Sequence, residues 1–585
     1  MKIHAFEIFE NKVVIKIRGN RLCETADELL ASAMFAEVLR RCLQDMTKRN
    51  SILLDIFENH SFTDDDIARL IKTFQFLVKM PGNLLPKIVK GSDIFFRDPY
   101  LFNEFVEYLY NYWRSFERFI ICDTEGNDLD KSPYRTFHAT IEHLMHLIRG
   151  VYRDLQEHIS NTHPRIYRQV VAGAELGAIA KPVKIPFPQG AYEKLKDFSV
   201  IRSILLYPPL ILNPPMNKRT GRFERIQENP LDFVDLKKEE WLCYPARVGS
   251  LFMLIYFHKK FFELGMSLAN LFKLADDEDL KKKPDAVYLF GVPEDALDRW
   301  GVFPTVFYDD EKNDMLAAAV PHRSEFGYFG YLKKMVLTLH NIKMMKRGKL
   351  PFHGALVRIL LRNNKGFTIL FIGDTGAGKS ETLEAFRQMG AEEIQDLIVI
   401  ADDMGSLDID KKGGVIGYGT EIGAFLRLDD LQPGYALGQI DRAIIMSPNQ
   451  INARIILPVS PFETVIKGHA VDFVLYANNY DEIDEDHPIL ERFQTSEQAL
   501  KVFRDGTVMS KGTTTSTGLV HSYFANVFGP PQYKDIHEGL AKKFFNHFFA
   551  KGIFVGEVRT RLGLSGWERK GPEEAARELL TMIRG

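Results

Sequence analysis

The sequence has little of what several protein classes need. Its four cysteines, Cys23, Cys42, Cys122 and Cys243, are far apart and include no Cys-x-x-Cys pair, which argues against both a disulfide framework and a zinc site of the usual spacing. A reducing, cytoplasmic setting is expected. Charge of one sign is not in excess either: 75 Lys and Arg stand against 78 Asp and Glu, for a net charge of -3. A nucleic-acid binder normally carries a basic surplus, so no nucleic-acid partner is expected. The longest apolar run, residues 248–257, stops at His258-Lys-Lys, far short of the ~20 residues that span a bilayer. The first residues, Met1-Lys-Ile-His-Ala-Phe-Glu, lack a basic segment followed by an apolar one, so neither export nor a membrane partner is expected. Internal repeats and long low-complexity tracts are missing as well.

What is present is an ordinary globular composition, 45% hydrophobic and 26% charged, over 585 residues. At roughly 150 residues per domain this length implies two to four domains. Residues 3–19 alternate around Val13-Val-Ile-Lys-Ile and read as a strand pair, while apolar residues at helical spacing predict helices over 24–46, 64–79, 99–118 and 135–159. The segment 1–200 is therefore read as a mainly helical N-terminal domain. Prolines 182, 186, 188, 208, 209, 214 and 215 break helices and mark a linker, with a domain boundary near residue 200. Beyond it, apolar runs at 286–290, 305–308, 367–372 and 397–400 alternate with helical segments, which is an α/β pattern. The short charge runs 281–283 and 481–486 read as solvated loops.

The most informative segment is Gly373-Asp-Thr-Gly-Ala-Gly-Lys-Ser380. A phosphate-binding P-loop needs a strand before it and a helix after it, because successive backbone N–H groups and the helix N-terminus together form the anion cradle. Residues 367–372 supply the apolar strand and residues 381–389 the helix, and Gly373, Gly376 and Gly378 allow the tight turn. Gly373, Asp374, Thr375, Gly376, Ala377, Gly378, Lys379, Ser380 and Glu381 are thus the candidate nucleotide-binding residues. Lys379 is expected on the β and γ phosphates and the Ser380 hydroxyl on Mg2+. Downstream, the run 397–403 ends an apolar strand in Asp402 and Asp403, carboxylates suited to a magnesium ion beside phosphates.

Read outward from this loop, residues 205 to 585 resemble the phosphoenolpyruvate carboxykinases, and the loop's own wording is closer to their relatives, the HPr kinase/phosphorylases. Phe326-Gly-Tyr-Phe-Gly-Tyr-Leu-Lys-Lys334 and Pro351-Phe-His-Gly354 are similar to the carboxykinase segment in which a lysine and a histidine bind Mn2+, at the same separation of 19 residues. The resemblance implies Lys334, His353 and Asp403 as ligands of that second metal and puts Tyr328 beside the substrate. A lysine coordinates only as the free amine, which a nearby dication favours by lowering its pKa. Gly417-Tyr-Gly-Thr-Glu-Ile-Gly-Ala-Phe-Leu-Arg427 resembles a stretch that ends in a catalytic lysine. Arg427 keeps the charge there but presents a planar fork in place of a point charge. Asn452-Ala-Arg454 resembles the Asn-x-Arg whose arginine contacts the transferring phosphoryl group. Thr220-Gly-Arg222 resembles the motif whose arginine grips a dicarboxylate, without the Ser-Pro-Lys-Asp-Lys that normally follows. Residues 511–518 sit where a lid would close. Residues 467–470, 524–533 and a closing helix from Pro572 fall in the family's order.

The fold that the resemblance implies is a two-lobed α/β core with a P-loop, its substrate-side lobe over 201–345 and its nucleotide lobe over 346–585, preceded by the helical segment 1–200. The activity it implies is nucleotide-dependent decarboxylation and phosphorylation of oxaloacetate to phosphoenolpyruvate, or the reverse. The cofactors are then ATP or GTP with Mg2+ and Mn2+, and the partner is a small-molecule dicarboxylate. Two alternatives stay open. One is an HPr-kinase-like kinase acting on a protein or small-molecule hydroxyl, with His353 or an aspartate as base; it is favoured by Phe329, where the carboxykinases have glycine. The other is a nucleotide-sensing module whose N-terminal domain meets a protein partner.

Overall fold

The computed structural model describes residues 5–18, 22–123, 131–163, 165–166, 169–219, 223–389, 393–428, 438–511 and 517–584. Arg222, expected to grip a dicarboxylate, lies outside the described residues, as does most of the expected lid at 512–516. Within them the protein is mixed α/β. The chain folds into two compact units, Met1–Pro182 with Ser199–Leu210 and Val183–Phe198 with Ile211–Gly585.

The first unit runs β1 (Ala5–Ile8), β2 (Lys12–Arg18), α1 (Ala26–Leu30), α2 (Ala33–Lys48), α3 (Asp64–Leu77), α4 (Pro99–Arg114), β3 (Glu117–Asp123), α5 (Lys131–Ser160), β4 (Leu176–Pro182) and β5 (Ser199–Leu206). Its strands pair in sequence order, β2, β3 and β4 in parallel and β5 antiparallel to β4. The helices start where side chains can take their free N–H groups: Ser32 caps α2, Thr63 and Asp66 form a reciprocal capping box on α3, and Asp98 caps α4 with Pro99 in its first turn. The helix expected over 99–118 stops at Arg114 because the next residues join the sheet. Arg118 then turns its buried guanidinium back onto the Trp113, Arg114, Phe116 and Gly173 carbonyls and onto Glu175 at 2.9 Å. It thereby satisfies carbonyls that the helix end leaves open. The stretch read as a linker near residue 200 is not one. β5 lies within it, paired with β4 apart from a register shift at Arg202, and the prolines fall outside β5, Pro182 being the last residue of β4, an end position that a sheet tolerates.

In the second unit one group of strands runs in the order Trp241–Val248, Leu251–His258, Ala286–Val292, Met315–Pro321, Thr305–Asp310 and Phe223–Ile226. Its three middle strands, Leu251–His258, Ala286–Val292 and Met315–Pro321, are parallel and buried along their length, as their near-continuous apolar sequence requires. The helix Phe329–Lys346 is buried almost all round. A second sheet carries the P-loop strand Gly366–Ile372 between Leu350–Leu361, to which it is antiparallel, and Phe473–Asn478, to which it is parallel. A smaller sheet sets Gly423–Arg427 against Arg454–Pro458. Among the described residues no helix is long and apolar enough to cross a membrane.

Candidate active site

The strand Gly366–Ile372 delivers the phosphate loop to the start of the helix Lys379–Met389. Gly376 and Gly378 take φ values of 81° and 94°, and a Cβ on Gly378 would lie 2.5 Å from Thr560 Oγ1, so only glycine fits that position. Thr560 Oγ1 donates to the Ala377 carbonyl at 2.7 Å and Asn479 Nδ2 to the Gly376 carbonyl at 2.9 Å, bracing the loop from behind. The Lys379 ammonium folds back over the loop and donates to the Gly373 and Asp374 carbonyls at 2.5 and 3.0 Å. Burial pushes it below the usual lysine range, and Asp403 and Asp374 act against that. It sits at hand for an anion held by the loop N–H groups.

Facing the loop, the helix Phe329–Lys346 and the strand Leu350–Leu361 bring together a buried charge cluster. Lys333 donates to Asp403 at 2.7 Å and lies 3.0 Å from Glu421. Burial lowers the pKa of such an ammonium, but the two carboxylates outweigh it and keep Lys333 charged. Asp403, in turn, is held well below the usual carboxylate range against its own burial, by Lys333 and His353. Burial, with the Asp403 charge beside it, pushes Glu421 up to about 7 and Asp402 up to about 6.

The neighbouring Lys334, the lysine singled out from the sequence, makes no such pair among the described residues. Its ammonium sits 4.8 Å from the centre of the Phe528 ring, and burial and Arg219 push it down to about 8. The resemblance passed over Lys333, which is the lysine that bonds Asp403. On a helix, adjacent side chains point about 100° apart, so two consecutive lysines cannot share one partner geometry.

His353 closes the cluster. Its Nδ1 donates to the Ala525 carbonyl, and its Nε2 lies 2.9 Å from Asp403 Oδ1. Ala525 is the middle of three consecutive residues, Phe524, Ala525 and Asn526, with φ of 45°, 55° and 63°. Left-handed backbone costs about 1–2 kcal/mol per residue with a Cβ, so the surrounding structure must hold this turn, and the carbonyl with it, against that cost. Nothing in the sequence signals it, since Phe and Ala rarely adopt that conformation.

On the third side Arg427 and Arg454 stand opposite each other across the antiparallel pair Gly423–Arg427 and Arg454–Pro458. Arg454 lies 5.3 Å from the Phe425 ring centre, and its Nε is buried with no hydrogen-bond partner among the described residues. Asn452 Nδ2 anchors the preceding loop on the Asn217 carbonyl at 2.5 Å. The resulting cleft encloses about 980 Å3, part of it open to solvent, and is lined by Tyr328, Lys333, Lys334, His353, Thr375, Gly376, Gly378, Lys379, Ser380, Glu381, Asp402, Asp403, Phe425, Leu426, Arg427, Arg454, Asn526 and Phe528. Every described candidate from the metal and catalytic sets therefore lines one cleft. Gly330 leaves room for the Tyr328 ring, which a Cβ there would meet at 2.2 Å. Glu421, Asn526 and Phe528, quoted in the sequence only as parts of motifs, belong to the same surroundings.

Among the described residues no group of three or more His, Cys, Asp and Glu side chains forms a ready metal site. The cleft nevertheless fits a dication in a different way. His353 has its Nδ1 proton committed to a backbone carbonyl and turns Nε2 on a carboxylate, and such a backbone bond is what orients a metal-binding imidazole. Lys334 beside it is already shifted toward the free amine. No protein-family model matches this sequence, and no curated protein matches it.

Proposed function

We propose that the second unit is a phosphoenolpyruvate carboxykinase-like enzyme with a carboxykinase-like core, which decarboxylates oxaloacetate and phosphorylates the product, or runs the reverse. The observation that carries this reading is the meeting of the P-loop with the cluster of Lys333, Lys334, His353 and Asp403 and with Arg454 in one cleft. In the reaction the C–C bond to the departing carboxylate breaks, CO2 leaves, and its electron pair passes to the enolate oxygen. That oxygen attacks the γ phosphorus of ATP or GTP and the nucleoside diphosphate departs, so no side-chain nucleophile is needed.

The loop N–H groups and Lys379 bind the triphosphate, Lys379 exchanging two backbone carbonyls for phosphate oxygens. Arg454, whose Nε has no hydrogen-bond partner among the described residues, and Arg427 opposite it neutralise charge on the phosphoryl group in flight. Tyr328 orients the dicarboxylate. Lys333 and Glu421 hold the Asp403 carboxylate in position. Mn2+ held by Lys334, His353 and Asp403, and Mg2+ held by Ser380 and Asp402, would supply Lewis acidity at the enolate oxygen and charge neutralisation at the phosphates.

The test is formation of phosphoenolpyruvate from oxaloacetate with Mn2+, Mg2+ and ATP, GTP or pyrophosphate. Absence of turnover with all three donors would overturn the reading. The hydroxyl-kinase alternative draws support from the P-loop wording, with His353 or an aspartate such as Asp402, both in the same cleft, as its base. Transfer of labelled γ-phosphate to an acceptor without oxaloacetate would select that alternative.

A further inference from the structure

One glycine of the phosphate loop is not held by packing. Gly376 takes φ 81°, and a Cβ on it would meet no atom within 4 Å among the described residues, so neither sterics nor neighbours fix the peptide that follows it. A trans peptide turns its C=O and N–H to opposite sides, and the orientation of this one decides which way the Ala377 N–H faces. Asn479 settles it, because its Nδ2 donates to the Gly376 carbonyl at 2.9 Å. On the other side of that peptide, the Ala377 N–H and the Lys379 ammonium converge on one acceptor, the Asp374 carbonyl, at 3.1 and 3.0 Å.

Asn479 is fully buried, one residue beyond the strand Phe473–Asn478 that lies parallel to the P-loop strand. It also reaches away from the loop. Its Nδ2 donates to the Met509 carbonyl at 2.9 Å, and its Oδ1 accepts from the Met509 N–H at 2.8 Å. The amide thus joins the phosphate loop to the strand Thr507–Lys511, which pairs antiparallel with Thr517–His521. Two further contacts join the same parts: Val508 packs with Ala377 and Ala477, and Ser522 Oγ donates to Asp374 Oδ2 at 3.3 Å. An amide suits this position because it offers two donors to two carbonyls and an acceptor to an N–H. A carboxylate of the same shape offers no donor and sets negative charge against both carbonyls.

We propose that Asn479 is a positioning residue for the phosphoryl donor: it holds the loop in the shape that receives a triphosphate and ties that shape to the strand Thr507–Lys511. When the anion arrives, its oxygens replace the Asp374 carbonyl as acceptor of the Ala377 N–H and the Lys379 ammonium. The inference rests on the reading of the P-loop as a nucleotide site and is independent of the acceptor substrate. Linkage makes the coupling reciprocal. If Asn479 strengthens nucleotide binding, bound nucleotide stabilises the Asn479–Met509 bonds in return.

The experiment uses the full chain, well below its melting temperature. It titrates the Mg2+ complexes of ATP and GTP by calorimetry and follows hydrogen exchange of the Met509 amide. Asn479→Asp should weaken nucleotide binding by roughly tenfold or more, as removal of a buried hydrogen-bond donor implies. Saturating nucleotide should slow exchange at Met509 by a similar factor in the wild type and far less in the variant. A purely structural Asn479 would lower the melting temperature while leaving the affinity of the folded chain and the response of Met509 unchanged, and that result would overturn the proposal. If Asn479→Asp does not fold, exchange in the wild type decides, and a Met509 amide indifferent to nucleotide overturns it. A wild-type chain that binds neither nucleotide would overturn the P-loop reading itself, whereas equal binding by wild type and variant would overturn this inference alone.

Discussion

At Lys333 the second unit buries an ammonium between Asp403 and Glu421. Removing it leaves carboxylates without compensation, a loss of about 3–5 kcal/mol. Lys333→Ala is therefore expected to lower the unfolding free energy of the second unit, read from urea denaturation, by an amount of that order. Lys334→Ala, one residue on, should change that free energy by under about 1 kcal/mol, as for a residue with no buried ion pair among the described residues, while cutting phosphoenolpyruvate formation sharply. The two variants together separate scaffold from chemistry. Lys379→Ala should weaken triphosphate binding by about 10- to 100-fold, the equivalent of one charge-assisted hydrogen-bond set, measured by titration calorimetry with the nucleotide.

The P-loop was legible in the sequence because everything that makes it lies within one short strand–loop–helix stretch. His353, Asp403 and Arg454 could be singled out only through spacing and resemblance, since what joins them is long-range. Which of two adjacent lysines meets Asp403 was not legible, because the rotation of a buried helix is set by the packing around it.

Among elements, the left-handed turn at 524–526 is where local preference and tertiary demand conflict. Asn526 tolerates that conformation and Ala525 does not. Asn526→Gly should be close to neutral, within about 1 kcal/mol, because relief of the left-handed cost is offset by the extra freedom of glycine in the unfolded chain. Ala525→Val, with a branched Cβ at φ 55°, should destabilise by about 1–3 kcal/mol, read from chemical denaturation. If the turn exists to hold the His353 imidazole, Ala525→Val should also lower kcat more than it raises KM for oxaloacetate.

Other elements were easier to foresee. The helices α2, α3 and α5 follow from amphipathic periodicity and, for α2 and α3, from capping residues. β3 was hidden, because Phe116-Glu-Arg-Phe119 continues the apolar spacing of α4 and only the sheet beyond it ends the helix.

For the whole molecule, three buried histidines of the second unit bear on acid stability. Burial pushes His258, His340 and His537 down to about 4 from the ordinary 6.5. They are neutral when folded and become protonated on unfolding below about 6.5. The stability they lend is complete above that pH and is lost as the pH falls toward 4. Calorimetric melting of the second unit should therefore drop across that window, and His340→Gln should flatten part of the drop. Constant melting from pH 7 to pH 4 would contradict this account.

The path of the chain between the two units has its own consequence. Residues Val183–Phe198 belong to the second unit, yet Ser199–Leu210 returns to the first, where β5 pairs with β4. A single proteolytic nick near the exposed Gly190 therefore does not yield two separable domains. It yields two complementing fragments, the C-terminal one carrying β5, the strand that pairs with β4 of the other, and these should co-elute on a sizing column and part only in denaturant.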